Sequence, residues 1–540
     1  LIKRTFRGLI RLLGGLSAGL AVMLALAAWK LSSGPVSLSF LTPHIENALN
    51  RSYGSFKIRL DDTILTWAGW ERTLDFRIIG ARVLGDNDEV LARVPEMSMS
   101  FSARALIKGL VAPSSIELFR PRLHLTHRQD GGVEIGFIEG EEASNDVANR
   151  LIAELLADPD PDRVTGYLKM VSVIDADLII KDHNLKTIWE SPYAQVALWR
   201  KDTGIKGKAS LDSETGEKKT RISISGDYKT KEGRLDLELN FNDISPAAFA
   251  GVSPELERLD AFDLPLGGTV NLVVSVNGAV ESADFNINGG NGRLTLPAPF
   301  AQKPDVEALR LKGRFEKGAE RLDIEDFFVD LGAEGKLDLP APTNHVMPVK
   351  TVQAEGRYYF NAGKLELSAL RVGLHGPSAV ISAVIDGIGG KPEITAKGEL
   401  LNLPVDDFAR YWPRAWGISA QEWCVANLSG GIVKEARIDL RLNSDTAGAF
   451  RVVSLAGDMA FDGVTVDYVH PMPKASKVKG TTMFNKERFD IFFERGEAGD
   501  LTVSKGRIFI TDLDKYDQYM DIELFIDGKI RTALELIDHK

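Results

Sequence analysis

The residue types best suited to chemistry are few in this sequence and poorly spaced for it. His124 and His127 look like a metal pair, but they stand three apart in an alternating run, so a strand would point them to opposite faces. Asp175 with Asp177, and Asp512 with Asp514, begin like calcium loops. Ile179 and Tyr516 then occupy the position where the third ligand belongs, so these acids read as strand-edge charges. Cys424 is the single cysteine, which excludes an internal disulfide and a thiolate zinc cluster. Between Trp423 and Val425 it reads as a small buried hydrophobe. The glycine clusters at 289–292 and 387–390 read as turns, and no phosphate loop, nucleophile elbow or zinc-protease helix is found. We therefore assign no catalytic residue, no metal ligand and no cofactor. A net charge of −11, with no basic run beyond the N-terminus, argues against nucleic acid as the main partner.

What recurs along the chain is structural. Gly313 and Gly356 each open an extended run, and at a constant offset Leu322, Ile324, Phe327, Val329 and Leu331 fall on Leu365, Leu367, Leu370, Val372 and Leu374. Two further copies start at Gly226 and Gly480 and lead to Arg234-Leu235-Asp236-Leu237 and Arg488-Phe489-Asp490-Ile491. Apolar and charged residues in alternation have the period of a strand with one apolar and one charged face. Lys231-Glu232-Gly233 and Asn361-Ala362-Gly363 have the form of hairpin turns. The unit is thus an amphipathic β-hairpin, and hairpins that cannot bury an apolar face alone must stack on their neighbours. The candidate apolar lining is Leu235, Leu237, Leu239, Phe241, Leu322, Ile324, Leu365, Leu367, Phe489 and Ile491; Arg234, Asp236, Arg321, Asp323, Arg488 and Asp490 belong to the outer face.

The elements that position this repeat follow from the rest of the chain. Residues 12–29 carry no charge, about the minimum for a bilayer-crossing helix, and follow Lys3, Arg4, Arg7 and Arg11. The positive-inside rule then places the N-terminus in the cytoplasm and the bulk of the chain across the membrane. A cleaved signal peptide ending near Ala25-Leu26-Ala27 is the competing reading. Thr42 and Pro43 suit the N-cap and first turn of a helix reaching about Asn50. The spacing of Val147, Leu151, Ile152, Leu155 and Leu156 predicts a helix stopped at Asp158-Pro159, and the segment with Tyr411, Trp412, Trp416 and Trp423 predicts two short aromatic helices. The expected organisation is an anchor over 1–30, a β-module over 31–140, a helical insertion over 141–162, repeating strands over 163–403, an aromatic helical insertion over 404–430 and further strands over 431–540. The chain starts without Met and stops just after a strand, as a fragment would.

Several short stretches resemble a known family. They are the anchor, Gly34-Pro35 with Phe40-Leu41-Thr42-Pro43, Leu60-Asp61-Asp62 with Trp67, Leu123-His124-Leu125 followed by Asp130-Gly131-Gly132, the run from Val171 through Asp175 and Asp177 to Leu178, and Tyr411-Trp412-Pro413 with Trp423. Together they resemble the YhdP-type branch of the AsmA-like envelope proteins, which includes TamB. The resemblance implies a mainly β fold, an elongated repeating β-groove of antiparallel strands with a few short helices and an N-terminal transmembrane helix. It also implies an inner-membrane-anchored periplasmic protein, akin to eukaryotic bridge-like lipid transfer proteins, that passes phospholipid toward the outer membrane. The expected partners are phospholipid acyl chains, the inner membrane and outer-membrane or envelope proteins. From periodicity alone, a sandwich core filled by its own side chains is the simpler reading; the resemblance favours an open apolar face. An envelope scaffold binding client outer-membrane proteins by strand addition is the alternative. A hydrolase would need acid, base and nucleophile brought together from distant segments.

Overall fold

The computed structural model describes most of residues 36–537; the rest, chiefly 1–35 apart from 19, 22, 23, 29 and 30, with 53–56, 67–74, 183–186 and most of 128–162, lie outside the described residues. The expected anchor over 12–29 and the helix over Val147 to Leu156 fall largely in those stretches. Among the described residues, no helix is long and apolar enough to cross a membrane. The chain is mainly β, and it divides into two compact units that part at Asp243 and Ile244, with 252–255 and 274–278 returning to the first. That division falls inside the stretch 163–403, which the sequence reads as one repeating module.

The described α-helices are short: α1 (Thr42–Ser52), α2 (Ala103–Ile107), α3 (Ala247–Ala250), α4 (Phe408–Tyr411), α5 (Ile418–Asn427) and α6 (Ile530–Ile537). Thr42, expected as an N-cap, is instead the first residue of α1, and its hydroxyl donates to Thr63 Oγ1 at 3.0 Å. That bond ties the helix to the sheet, where a cap would have served only the helix.

In the first unit, strands Val36–Ser37, Asp62–Thr66, Asp75–Leu84, Val90–Phe101 and Pro113–Phe119 pair antiparallel in turn. Pro113–Phe119 and Arg122–His127 then lie parallel to Met170–Asp182, and antiparallel order resumes through Thr187–Lys201, Gly204–Thr215, Lys218–Lys229 and Arg234–Ile244. The second unit is simpler. Val280–Gly289, Ala308–Glu316, Arg321–Asp330, His345–Tyr359, Lys364–Leu374, Ser378–Asp386, Glu393–Pro404, Ile432–Thr446, Ala449–Val466, Ala475–Asn485, Arg488–Ala498, Leu501–Thr511 and Tyr519–Asp527 pair antiparallel in chain order.

The repeat's glycines do two different jobs. Gly233 and Gly363 sit in the hairpin turns at φ +60° and +55°, a backbone region that costs other residues energy. The leading glycines have no positive φ; Gly313, Gly356 and Gly480 sit where the register shifts, and there they supply space. A Cβ on Gly226 would stand 3.0 Å from Leu237 Cδ2; on Gly313 it would meet the Asp323 carbonyl oxygen at 2.3 Å and the Phe285 ring at 2.7 Å, and on Gly480 the Phe492 carbonyl oxygen at 2.3 Å and the Phe461 ring at 2.9 Å. Large apolar side chains therefore lie flat across the sheet, each over a glycine of the neighbouring strand. Gly398, on the same face, has only Ile381 Cγ1 near, at 4.0 Å. Gly480→Ala should accordingly lose about 1–3 kcal/mol to overpacking, whereas Gly398→Ala should be neutral or gain up to about 1 kcal/mol. Urea unfolding midpoints of the two variants check this pair.

Candidate functional site

Cross-strand partners share a face of a sheet, so the registers define what each unit presents. In the second unit one row runs Ile287, Leu311, Phe327, Ala354, Leu370, Ile381, Gly398, Ile438, Gly457, Phe484, Phe489, Ile510, Met520, one residue per strand across all thirteen strands. The adjoining row runs Leu309, Val329, Val352, Val372, Ala379, Leu400, Ala436, Met459, Thr482, Ile491, Ile508, Ile522. On the hairpin side Phe315, Leu322, Tyr358, Leu365, Ile385, Ile394 and Leu442 form a third. The only polar member of the second row is Thr482, which is buried with its hydroxyl unpartnered. A buried hydroxyl without a partner is a cost carried by an otherwise apolar surface.

The rows survive two irregularities. Register shifts between Ile324 and Phe327, and between Leu367 and Leu370, insert an extra residue just where the sequence steps by three instead of two. Without these bulges the apolar set beyond each step would turn to the other face.

The first unit repeats the pattern. Val36, Leu65, Phe76, Met99, Ile116, Val171, Leu198, Gly207, Gly226 and Leu237 are successive partners, and Ile224 with Leu239 and Ile222 with Phe241 extend the same face. The structure places Leu235, Leu237, Leu239 and Phe241 together on this face, and Leu322, Ile324, Leu365, Leu367, Phe489 and Ile491 together on the apolar face of the second unit. All ten are half-buried, neither enclosed nor freely exposed.

Full burial occurs where something else packs on the face. In the first unit Ile45 of α1, Leu155 and Leu168 close over Ile78, Met97, Met99, Ile116 and Val171. In the second, a three-stranded sheet of Phe262–Asp263, Gly292–Leu294 and Asp305–Val306 brings Leu264, Leu294 and Val306 against Leu309, Val329 and Val349. Next to it, Phe408 and Tyr411 of α4 pack with Leu403, Val433, Val464 and Val478. The two covers of the second unit sit toward the strand ends remote from its hairpins at 317–320 and 360–363, and leave the Leu322 and Leu365 end half-open.

The opposite face explains the basic, apolar, acidic, apolar motif. Arg234 with Asp236 (2.7 Å), Arg321 with Asp323 (2.8 Å), Lys364 with Glu366 (2.7 Å) and Arg488 with Asp490 (2.5 Å) are ion pairs between positions two apart on one strand. Cross-strand partners extend them: Lys229 reaches Asp236 at 2.9 Å and Arg357 reaches Asp323 at 3.2 Å. The Arg234 guanidinium, bonding to Asp236, holds that carboxyl below the usual carboxylate range, and Lys364 does the same to Glu366.

Two of the acids considered for chemistry are engaged otherwise. Asp177 pairs with Arg122 at 2.9 Å, and Asp512 sits in a turn bonded to Lys515. Among the described residues, no cluster of His, Cys, Asp and Glu could hold a metal ion. A cavity of about 290 Å³ lies beneath the aromatic insertion, bordered by Phe408, Val425, Leu428, Asp406, Asp467 and Lys474. Its charges are spent on structure, since Lys474 pairs with Asp467 at 3.1 Å and Asp406 accepts the Gly430 N–H at 2.9 Å.

The aromatic insertion is tied down by polar contacts as well as packing. The Tyr411 hydroxyl donates to the His375 carbonyl at 2.9 Å, and His345 Nε2 meets the Arg410 carbonyl at 2.8 Å. Helix α5 turns Gln421 inward while Ile418, Trp423 and Val425 stay exposed, along with Trp416 just before it. Periodicity did not reveal this inversion, since nothing in the sequence marks a glutamine as the inward residue. Comparison with known proteins gave no match: no family model, no curated protein and no solved structure is similar to the chain at a significant level.

Cys424 reports on this packing. Burial pushes its thiol up to about 11, because the charged thiolate loses hydration. At pH 8 roughly 0.1% is thiolate, against roughly a quarter for a free thiol, so alkylation should run about two orders of magnitude slower than in the urea-unfolded chain. Equal rates in the two states would contradict the packed insertion.

Proposed function

We propose that the apolar faces carry phospholipid acyl chains, in an inner-membrane-anchored periplasmic protein of the YhdP-type AsmA-like kind that moves lipid between the inner and outer membranes in support of outer-membrane integrity. One observation carries this reading: one apolar row runs unbroken across thirteen paired strands, and none of its members is enclosed as a sandwich core would enclose it. Such a surface costs free energy in water unless something apolar covers it.

An acyl chain supplies such a cover. Exposed methylenes cost about 0.8 kcal/mol each, so a chain of ~15 carbons crossing water faces roughly 12 kcal/mol. A repeating apolar groove lowers that barrier by offering each stretch of chain an equivalent neighbour. Transport of this kind needs no catalytic side chain. The ion-paired outer face keeps the sheet soluble, and the aromatic insertion, with Trp416, Ile418 and Trp423 outward, would act as a lipid gate at the covered edge.

A second reading rests on strand Tyr519–Asp527, which is exposed along its whole length and, among the described residues, pairs on one side only. An open strand suits addition of a strand from a client outer-membrane protein.

The two readings part on one variant. Leu322→Asp with Leu365→Asp puts two carboxylates in the half-open row, where an acyl chain would meet buried charge. The double variant should keep its far-ultraviolet circular dichroism and lose at least tenfold in fluorescent phospholipid transfer between vesicles. Normal transfer by the folded variant would refute the groove and favour client binding.

A further inference from the structure

One exposed apolar element serves neither the rows nor the ladder of ion pairs. In the first unit, α2 and the turn after it join strand Val90–Phe101 to Pro113–Phe119. Ala105 and Ala112 are buried as its roots, and the loop is closed by Ser102 N to Ala112 O and Leu110 N to Ala105 O, both 2.9 Å. Beyond those roots Arg104, Ile107, Lys108, Gly109 and Val111 are exposed. Ile107 is 88% exposed and Val111 41%. Gly109, at φ +78°, has nothing within 4 Å of the place its Cβ would take, so the tip stands in open space.

The charge at this tip has one sign. Arg104 and Lys108 flank Ile107, both exposed, and neither has an ion-pair partner among the described residues. No acidic residue occurs between Glu96 and Glu117. Lys169, exposed at the start of the next strand, adds a third cation, since its backbone N–H bonds to Ser114 O at 2.8 Å. Among the described residues, Asp160, paired with Arg163, Glu232, near Lys229, and Asp202, which follows Lys201, are the acids toward this end of the sheet.

We infer that this tip docks on an anionic bilayer surface, with Ile107 entering the headgroup boundary and Arg104 and Lys108 against lipid phosphates. The inference stands whether or not the apolar faces carry lipid. A protein partner of ordinary affinity needs about 800 Å² from each side, more than a tip with two exposed apolar side chains offers. A bilayer accepts a protruding side chain without a matching surface, and a negative surface attracts each nearby cation.

The test uses the full chain with Cys424→Ala and a single fluorophore on Ile107→Cys, added to vesicles with brominated acyl chains. In phosphatidylcholine containing phosphatidylglycerol the label should be quenched; in phosphatidylcholine alone, or with Arg104→Gln and Lys108→Gln, the quenched fraction should fall by roughly fivefold per cation removed. A label on Ile188→Cys, 58% exposed at the other end of strand Thr187–Lys201, should stay unquenched. Equal quenching at the two positions, no quenching at 107, or quenching indifferent to the glutamines would each overturn the inference.

Discussion

Everything in the second unit depends on cross-strand register. A strand has two faces and a period of two, so one slipped residue in one pairing would send every later apolar side chain to the charged face. Across thirteen strands that does not happen, because the hairpins fix each register and the bulges after Ile324 and Leu367 add a residue where the apolar spacing needs one. The ion pairs Arg321 to Asp323 and Lys364 to Glu366 hold the other face with positions two apart, so both faces depend on the same period. Pairs this exposed add little stability singly. Their repetition instead makes a slip unfavourable on both faces at once.

Covering is the second constraint, and it is uneven. Strands in the first unit are closed by α1, Leu155 and Leu168, and in the second by a small sheet and the aromatic insertion. Among the described residues, Leu322, Leu365 and their partners near the hairpins belong to none of these clusters and stay half-buried. The flat-lying Phe285 over Gly313 and Phe461 over Gly480 keep side chains low on this face.

Much of this was legible from residue order. Alternation put Leu235 and Leu239 on one face, and Leu322, Ile324, Leu365 and Leu367 on another, because period two is a local property of the backbone. The charged motif was visible for the same reason, and the two short helices at Phe408–Tyr411 and Ile418–Asn427 lie where the aromatic segment predicts them. Other features depend on partners distant in sequence. The parallel pairing of Pro113–Phe119 with Met170–Asp182, the sheet joining Phe262–Asp263 to Gly292–Leu294, and the ring of Phe285 over Gly313 have no local signature. The bulges had one, the step of three between Ile324 and Phe327, which alternation treated as part of the pattern. The leading glycines were marked by the repeat itself, but their reason, the close approach of a neighbouring strand's carbonyl and side chain, needed the register.

The central claim is that the apolar face meets lipid along its length. Mass spectrometry of lipids crosslinked from photoreactive residues at Leu237, Leu322, Leu365 and Phe489, with Asp236 and Asp323 as outward controls, tests it most directly. The account predicts phospholipid on the four apolar positions and none on the controls. Lipid on neither set would contradict it and leave the half-buried rows as the inner face of a scaffold.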